Sequence, residues 1–132
     1  VQLLARYFAQ ACSDENVKKT FKMIGRARNY DDLGLPSWMK RFNGKPVIIN
    51  HSGEVFTGNS NGTAYLEIDI IVARWSLWAK QGVHTLMPRY KEIDAEVGFV
   101  LQGTEDDELP EQMLGGARLP FVDVSSFPEL NQ

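Results

Sequence analysis

Two pairs of carboxylates have the spacing that acid–base chemistry asks of a strand. Glu67 and Asp69 stand two apart in an alternating run over residues 65–72, and Asp94 and Glu96 repeat the pattern in residues 93–101. Side chains two apart on a strand share one face, so each pair could offer a proton donor and a proton acceptor to one substrate. The same spacing suits carboxylates that neutralise Arg26 and Arg28 on a neighbouring strand, and that reading needs no cavity. Other chemistries lack their residues. His51 and His84 are the only histidines, Cys12 is the only cysteine, and no CxxC or HxxxH spacing joins them, so no metal site is expected. Cys12 lies between Ala11 and Ser13 without a glycine-rich turn to expose it, no GxSxG occurs, and Ser52 follows His51 within a turn. Nucleophilic catalysis therefore has no support. The glycine-rich phosphate loops GxGxxG and GxxxxGK are also absent. The chain is read as non-enzymatic, with no catalytic residue, metal or cofactor.

Positive charge is the more distinctive signal. Lys18, Lys19, Lys22, Arg26 and Arg28 follow one another without an intervening acid, and Lys40, Arg41 and Lys45 lie near Trp38 and Phe42. Cations interleaved with aromatics can meet phosphate groups. Residues 1–50 carry nine basic and four acidic side chains (+5), and residues 51–132 carry five and thirteen (−8), which sum to −3. Overall acidity argues against nucleic acid as a partner and leaves anionic lipid head groups or a protein surface. Trp75 and Trp78, flanked by Arg74 and Lys80 at helical spacing, form either the cover of a sheet or a face for a membrane interface or partner protein.

The elements that must position these groups follow from periodicity. Residues 1–10 fit a helical stripe through Leu3, Leu4, Tyr7 and Phe8, but also alternate as a strand would. Ser13 reads as the cap of a short helix over 14–20. Residues 21–28 alternate with one basic face and predict a strand, followed by a loop over 29–36. Pro36, Ser37, Trp38, Met39 and Phe42 read as a helical turn closed by Asn43-Gly44. Residues 46–50 and 54–57 read as a hairpin around His51-Ser52-Gly53, and the polar tract 58–63 as an exposed loop. Residues 65–72 predict a central strand, 73–87 an amphipathic helix ended by Pro88, and 93–101 the most regular strand of the chain. Thr104, with Asp107 three residues on, opens a further helix that Gly115-Gly116 ends, and residues 118–124 form the last strand.

The sum is an α+β fold: a mostly antiparallel sheet of five to six strands, one longer helix at about 73–87 packed on a face, and short connecting helices. The 132 residues (1–132) make one domain, with 43% hydrophobic and 23% charged residues, as soluble globular chains have. Mass scaling predicts roughly 7,000 Å² of accessible surface for such a chain when folded. The lone cysteine favours a reducing, intracellular setting, cytoplasmic or peripheral on a membrane. No apolar run approaches a membrane span, and no signal-peptide pattern or initiator methionine precedes Val1, so the sequence is read as the C-terminal part of a larger domain or chain.

Two motifs add a resemblance. Tyr65-Leu66-Glu67-Ile68-Asp69-Ile70 and Glu108-Leu109-Pro110-Glu111-Gln112-Met113-Leu114-Gly115, the latter followed by Ala117-Arg118-Leu119, resemble the C-terminal domain of the plant enhanced disease resistance two proteins. An aromatic strand like Arg6-Tyr7-Phe8, the strand Phe21-Lys22-Met23-Ile24, Pro36-Ser37-Trp38-Met39 and Lys45-Pro46-Val47-Ile48-Ile49 fall in the same order, with the family domain's N-terminal portion missing. In plant members the domain follows pleckstrin-homology and START modules, and the family also occurs in algae and protists. The resemblance implies membrane association and lipid signalling without an established catalytic residue. The chain departs from the family pattern at Arg74, Trp75, Trp78, Lys80, His84 and Arg89, where that pattern is rich in glycine and aliphatics. The function expected is a lipid- or membrane-associated module that meets its ligand through Lys18, Lys19, Lys22, Arg26, Arg28, Arg74, Trp75, Trp78 and Lys80. The alternative is a structural or protein-interaction subunit of a larger assembly.

Overall fold

Period-two alternation governs the first sheet. The structure is a computed structural model that describes residues 2–49 and 51–128. Strands β1 (Phe21–Ala27), β2 (Pro46–Ile48), β5 (Asp94–Leu101) and β6 (Met113–Pro120) form a four-stranded sheet in the order β2-β1-β5-β6, with every pairing antiparallel. Register places Lys22 opposite Val100, Ile24 opposite Gly98 and Arg26 opposite Glu96 on one face. Phe21 opposite Leu101 and Met23 opposite Phe99 fall on the other. Strands β3 (Gly53–Ser60) and β4 (Thr63–Ile70) form a second, two-stranded sheet.

The core lies between the apolar face of the first sheet and helix α1 (Gln2–Gln10), which settles the ambiguous N-terminal periodicity as helical. Tyr7 and Ala11, one helical turn apart, are buried with Phe21, Ile49 and Leu101, and Leu3 packs beside them. The segment Arg6-Tyr7-Phe8, likened above to a strand, is thus helix; Val1 lies outside the described residues. Phe21 stacks on Phe99 at 5.6 Å and meets Tyr7 at 6.1 Å. Val55, Leu66, Ile68 and Ile70 of the second sheet close the core.

Several expectations are corrected. Residues 46–50 and 54–57 do not pair with each other. β2 pairs with β1, the ladder continuing as Ile49 N donates to Phe21 O at 3.0 Å, while β3 pairs with β4; Asn50 lies outside the described residues. The tract 58–63 is no loop: β3 runs to Ser60 and β4 starts at Thr63. Between them Asn61 (φ 52°) and Gly62 (φ 84°) supply the two positive φ angles of a type I′ turn, which its right-handed strands require. Residues 65–70 of the strand expected over 65–72 therefore sit in a two-stranded sheet, with Leu66, Ile68 and Ile70 inward as their alternation predicts, and Val72 instead opens a 3-10 turn.

The helices shift too. The cap of α2 (Glu15–Lys18) is Asp14, whose carboxylate accepts from Asn16 N (2.8 Å) and Val17 N (3.4 Å), while the Ser13 hydroxyl turns back to Gln10 O. Loop 29–36 holds a 3-10 turn, Tyr30–Leu33, before α3 (Ser37–Lys40). The helix expected over 73–87 becomes a 3-10 turn (Val72–Arg74), then α4 (Leu77–Leu86) capped by Ser76, then a 3-10 helix (Met87–Glu92). Pro88, lacking an N–H, stands in the first turn of that last segment, where none is needed. Helix α4 is seated through buried Gly82, whose Cα approaches Trp38 and Met39 of α3 closely enough that a Cβ would lie 3.9 and 3.8 Å from them. After β5, the expected helix from Thr104 is a single 3-10 turn, Asp106–Glu108, and Gly115-Gly116 lie inside β6, which starts five residues before the strand expected at 118.

Among the described residues one buried side-chain polar atom is unsatisfied: the Tyr7 hydroxyl has no hydrogen-bond partner, and burial, with a smaller contribution from Cys12, raises its pKa to about 12. Tyr7→Phe is expected to unfold in urea within about 1 kcal/mol of the parent or above it, since it removes a desolvated hydroxyl. Leu101→Ala, at a side chain only 1% exposed, is expected to cost about 2–5 kcal/mol in the same titration.

Candidate functional site

The carboxylates are best understood from the register. Because Arg26, Glu96 and Arg118 lie directly across β1, β5 and β6, opposite charges are brought together on one face. Arg118 grips Asp94 through Nε (2.7 Å) and Nη2 (2.9 Å), Arg26 meets Glu96 at 3.1 Å, and Arg28 lies 3.5 Å from Glu96 and 3.8 Å from Asp94. The Arg118 hydrogen bonds hold the Asp94 carboxyl below its usual range, against the opposing effect of desolvation. A proton donor at neutral pH needs the reverse shift. Glu67 and Asp69 stand exposed on the outer face of β4, where Asp69 lies opposite Glu54, which itself pairs with Arg74 at 2.5 Å. His84 is exposed on α4, and the exposed Cys12 thiol donates to Val55 O at 3.4 Å. Among the described residues no three His, Cys, Asp or Glu side chains are grouped to hold a metal ion.

The basic segment is divided by the fold and largely neutralised. Lys18 pairs with Glu15 and Lys22 with Glu111, each at 2.8 Å, and Arg26 and Arg28 share the carboxylates of β5. Lys19 alone of the five makes no ion pair among the described residues. Sequence adjacency hid this, because the neutralising acids lie up to 89 residues away.

An aromatic cluster forms where α3 meets α4. Trp75 is half-buried, Arg74 is held by Glu54, and Lys80 Nζ reaches Ala73 O at 3.4 Å. Leu77 and Trp78, by contrast, are 77% and 74% exposed. The Trp78 ring meets Trp38 edge-on at 6.3 Å, Trp38 meets Phe42 at 6.4 Å, and the Arg41 guanidinium stands 4.8 Å over the Phe42 ring. Trp38, Arg41 and Trp78 line a cleft of about 330 Å³. Trp38, Arg41 and Phe42 escaped the sequence-based site because nothing local says that α3 docks on α4; their i, i+3, i+4 spacing was the available signal.

A second, shallower concavity of about 490 Å³ lies on the charged face of the first sheet, floored by Gly98 and Gly116 and bordered by Arg26, Glu96 and Met113. The floor is flat because it must be: a Cβ on Gly116 would stand 2.7 Å from Val97 O.

The motif residues act as fasteners. The Glu108 carboxylate accepts from Thr104 N (2.7 Å) and Glu105 N (3.2 Å) and pairs with Arg6 of α1 at 2.9 Å, while Glu111 holds Lys22 of β1. Leu109 and Pro110 are exposed between them, and Leu114 and Gly115 enter β6. The Tyr65 ring covers Gly58 directly across the hairpin, where a Cβ would come within 2.7 Å of ring atoms.

A model of the family described as Protein ENHANCED DISEASE RESISTANCE 2, C-terminal, matches residues 2–123, which include both motifs. No curated protein and no solved structure matches the chain. The motif carboxylate gives a pH test. Backbone hydrogen bonds from Thr104 and Glu105, with Arg6 nearby, hold Glu108 below the usual glutamate range, as Arg118 does Asp94. A depressed folded pKa gives stability that is complete above the unfolded value, about 4, and is lost as pH falls through the folded one. The urea midpoint is expected to be level from about pH 7 to 5 and to fall below about pH 4. Glu108→Gln should lower the neutral plateau and flatten that acid fall.

Proposed function

Because the chain belongs to the family of the Protein ENHANCED DISEASE RESISTANCE 2 C-terminal domain, we propose that it is a non-catalytic, lipid-associating module that docks peripherally on an anionic membrane surface. The observation that carries this reading is the cleft between α3 and α4. Leu77 and Trp78 project into solvent beside an aromatic pair, and Arg41, which makes no carboxylate ion pair among the described residues, stands at the rim. Tryptophan at a water–hydrocarbon boundary keeps its ring apolar and its N–H wet, and an unneutralised arginine meets lipid phosphate. No helix among the described residues is long and apolar enough to cross a membrane, so docking would rest on these side chains. The basic segment of α2 and β1 is the weaker docking face, since four of its five cations already stand on carboxylates.

Vesicle flotation tests the proposal, with phosphatidylcholine alone and with phosphatidylserine added. The protein is expected to float with the anionic vesicles in a salt-sensitive way. Trp78→Ala should lower partitioning about tenfold, the equivalent of one aromatic side chain's burial, without lowering the melting temperature. Arg41→Glu should remove the preference for anionic lipid. Failure of the parent protein to float at low salt would sink the reading in favour of a protein-interaction subunit. Loss of binding on reversing Lys18, Lys19 and Lys22, with Trp78→Ala unaffected, would move the docking face to α2 and β1.

A further inference from the structure

Strand β6 ends the four-stranded sheet, and all eight of its residues are exposed. Its hydrogen-bonding phase is fixed by Phe121 N, which donates to Ile93 O at 2.8 Å just beyond the strand. Bonded positions recur at every second residue of an antiparallel pair, so Gly115, Ala117 and Leu119 direct their N–H and C=O groups to β5. Gly116 and Arg118 therefore direct theirs outward, and among the described residues nothing bonds to them. From this edge we infer that β6 pairs antiparallel with β6 of a second copy of this chain about a two-fold axis at Ala117, joining two four-stranded sheets into one.

The edge is self-complementary in three respects. With Ala117 opposite the partner's Ala117, Gly116 lies opposite the partner's Arg118 and Arg118 opposite the partner's Gly116, so both outward sets of backbone groups exchange hydrogen bonds. No bulky side chain meets another at the axis, because Gly115, Gly116 and Ala117 are small. Charge does not oppose contact either, since Arg118 is held on its own chain's Asp94. Other edges are poorer: β2 has three residues and starts on Pro46, while the β3–β4 hairpin carries Glu54, Glu67 and Asp69, which would confront themselves in a homotypic pair. The surface also leaves room. The chain exposes 9433 Å², against roughly 7,000 Å² for a compact chain of its mass, and a stable dimer needs roughly 800 Å² from each side. Leu114 and Leu119, 45% and 48% exposed, flank the axis and would contribute to that area.

Sedimentation velocity and light scattering of the 132-residue chain are expected to give twice the 14.9 kDa mass. Ala117→Glu and Ala117→Lys each set like charges opposite one another at the axis and should weaken the dimer about fivefold. Mixing the two variants should restore association, because the charges then oppose. Circular dichroism and melting curves confirm that each variant folds. A monomeric parent overturns the inference, including one whose edge instead takes an extended peptide of another protein. So does an Ala117→Glu variant that associates as tightly as the parent, or a mixture that associates no better than either variant alone.

Discussion

The pairing of β5 on both of its edges is the constraint from which the rest follows. A strand bonded on both sides cannot slip by one residue without turning every side chain to the opposite face. Once its register against β1 is set, Phe99 and Leu101 must join Phe21 in the core, and Asp94 and Glu96 must face arginines on the other side. The charged face and the apolar core are thus two readings of one alignment. Neither could be changed alone.

The same logic explains why the conspicuous charge of the sequence is quiet in the fold. Nine basic side chains in residues 1–50 and thirteen acids in residues 51–132 look like two opposed surfaces, yet α1, α2 and β1 are threaded between later elements that bring the acids to them. Lys22 meets Glu111, Arg6 meets Glu108, and Arg26 meets Glu96. Such partly exposed pairs add little energy singly. What they add is order, since each joins segments distant in sequence. Among the cations left without a carboxylate partner in the described residues, Arg41 is the one that stands beside the aromatic cluster.

Much of this was legible in the residues, for identifiable reasons. Strands β1 and β5 announced themselves because alternation survives wherever one face is buried and the other wet, and the pairing of Asp94 and Glu96 with Arg26 and Arg28 followed from it. The hairpin over Asn61-Gly62 was hidden by composition: a polar tract reads as loop unless the Asn-Gly dipeptide is weighed for its backbone. Strand β2 has a different neighbour from the one expected because a nearby glycine suggests a local turn, whereas the ladder it joins lies 24 residues back, at Met23 opposite Val47. The α3–α4 cleft was legible only in part, since Trp78 was visible and its partners required knowledge of how two short helices dock. Family membership, carried by the 65–70 and 108–115 motifs, named the domain without revealing that Glu108 and Glu111 fasten α1 and β1.

The contact between Arg6 and Glu108 spans 102 residues, and its reach bears on how the molecule is made as well as how it stands. Ribosomal synthesis proceeds at about 5–20 residues per second, so about 5–20 s separate the synthesis of Arg6 from that of the carboxylate that fastens helix α1. For most of that interval the apolar stripe through Leu3, Tyr7 and Ala11 lacks Phe99 and Leu101 of β5 to rest on. Until then that stripe is exposed apolar surface, which favours association between chains, and helix α1 is a segment that a chaperone would have reason to hold.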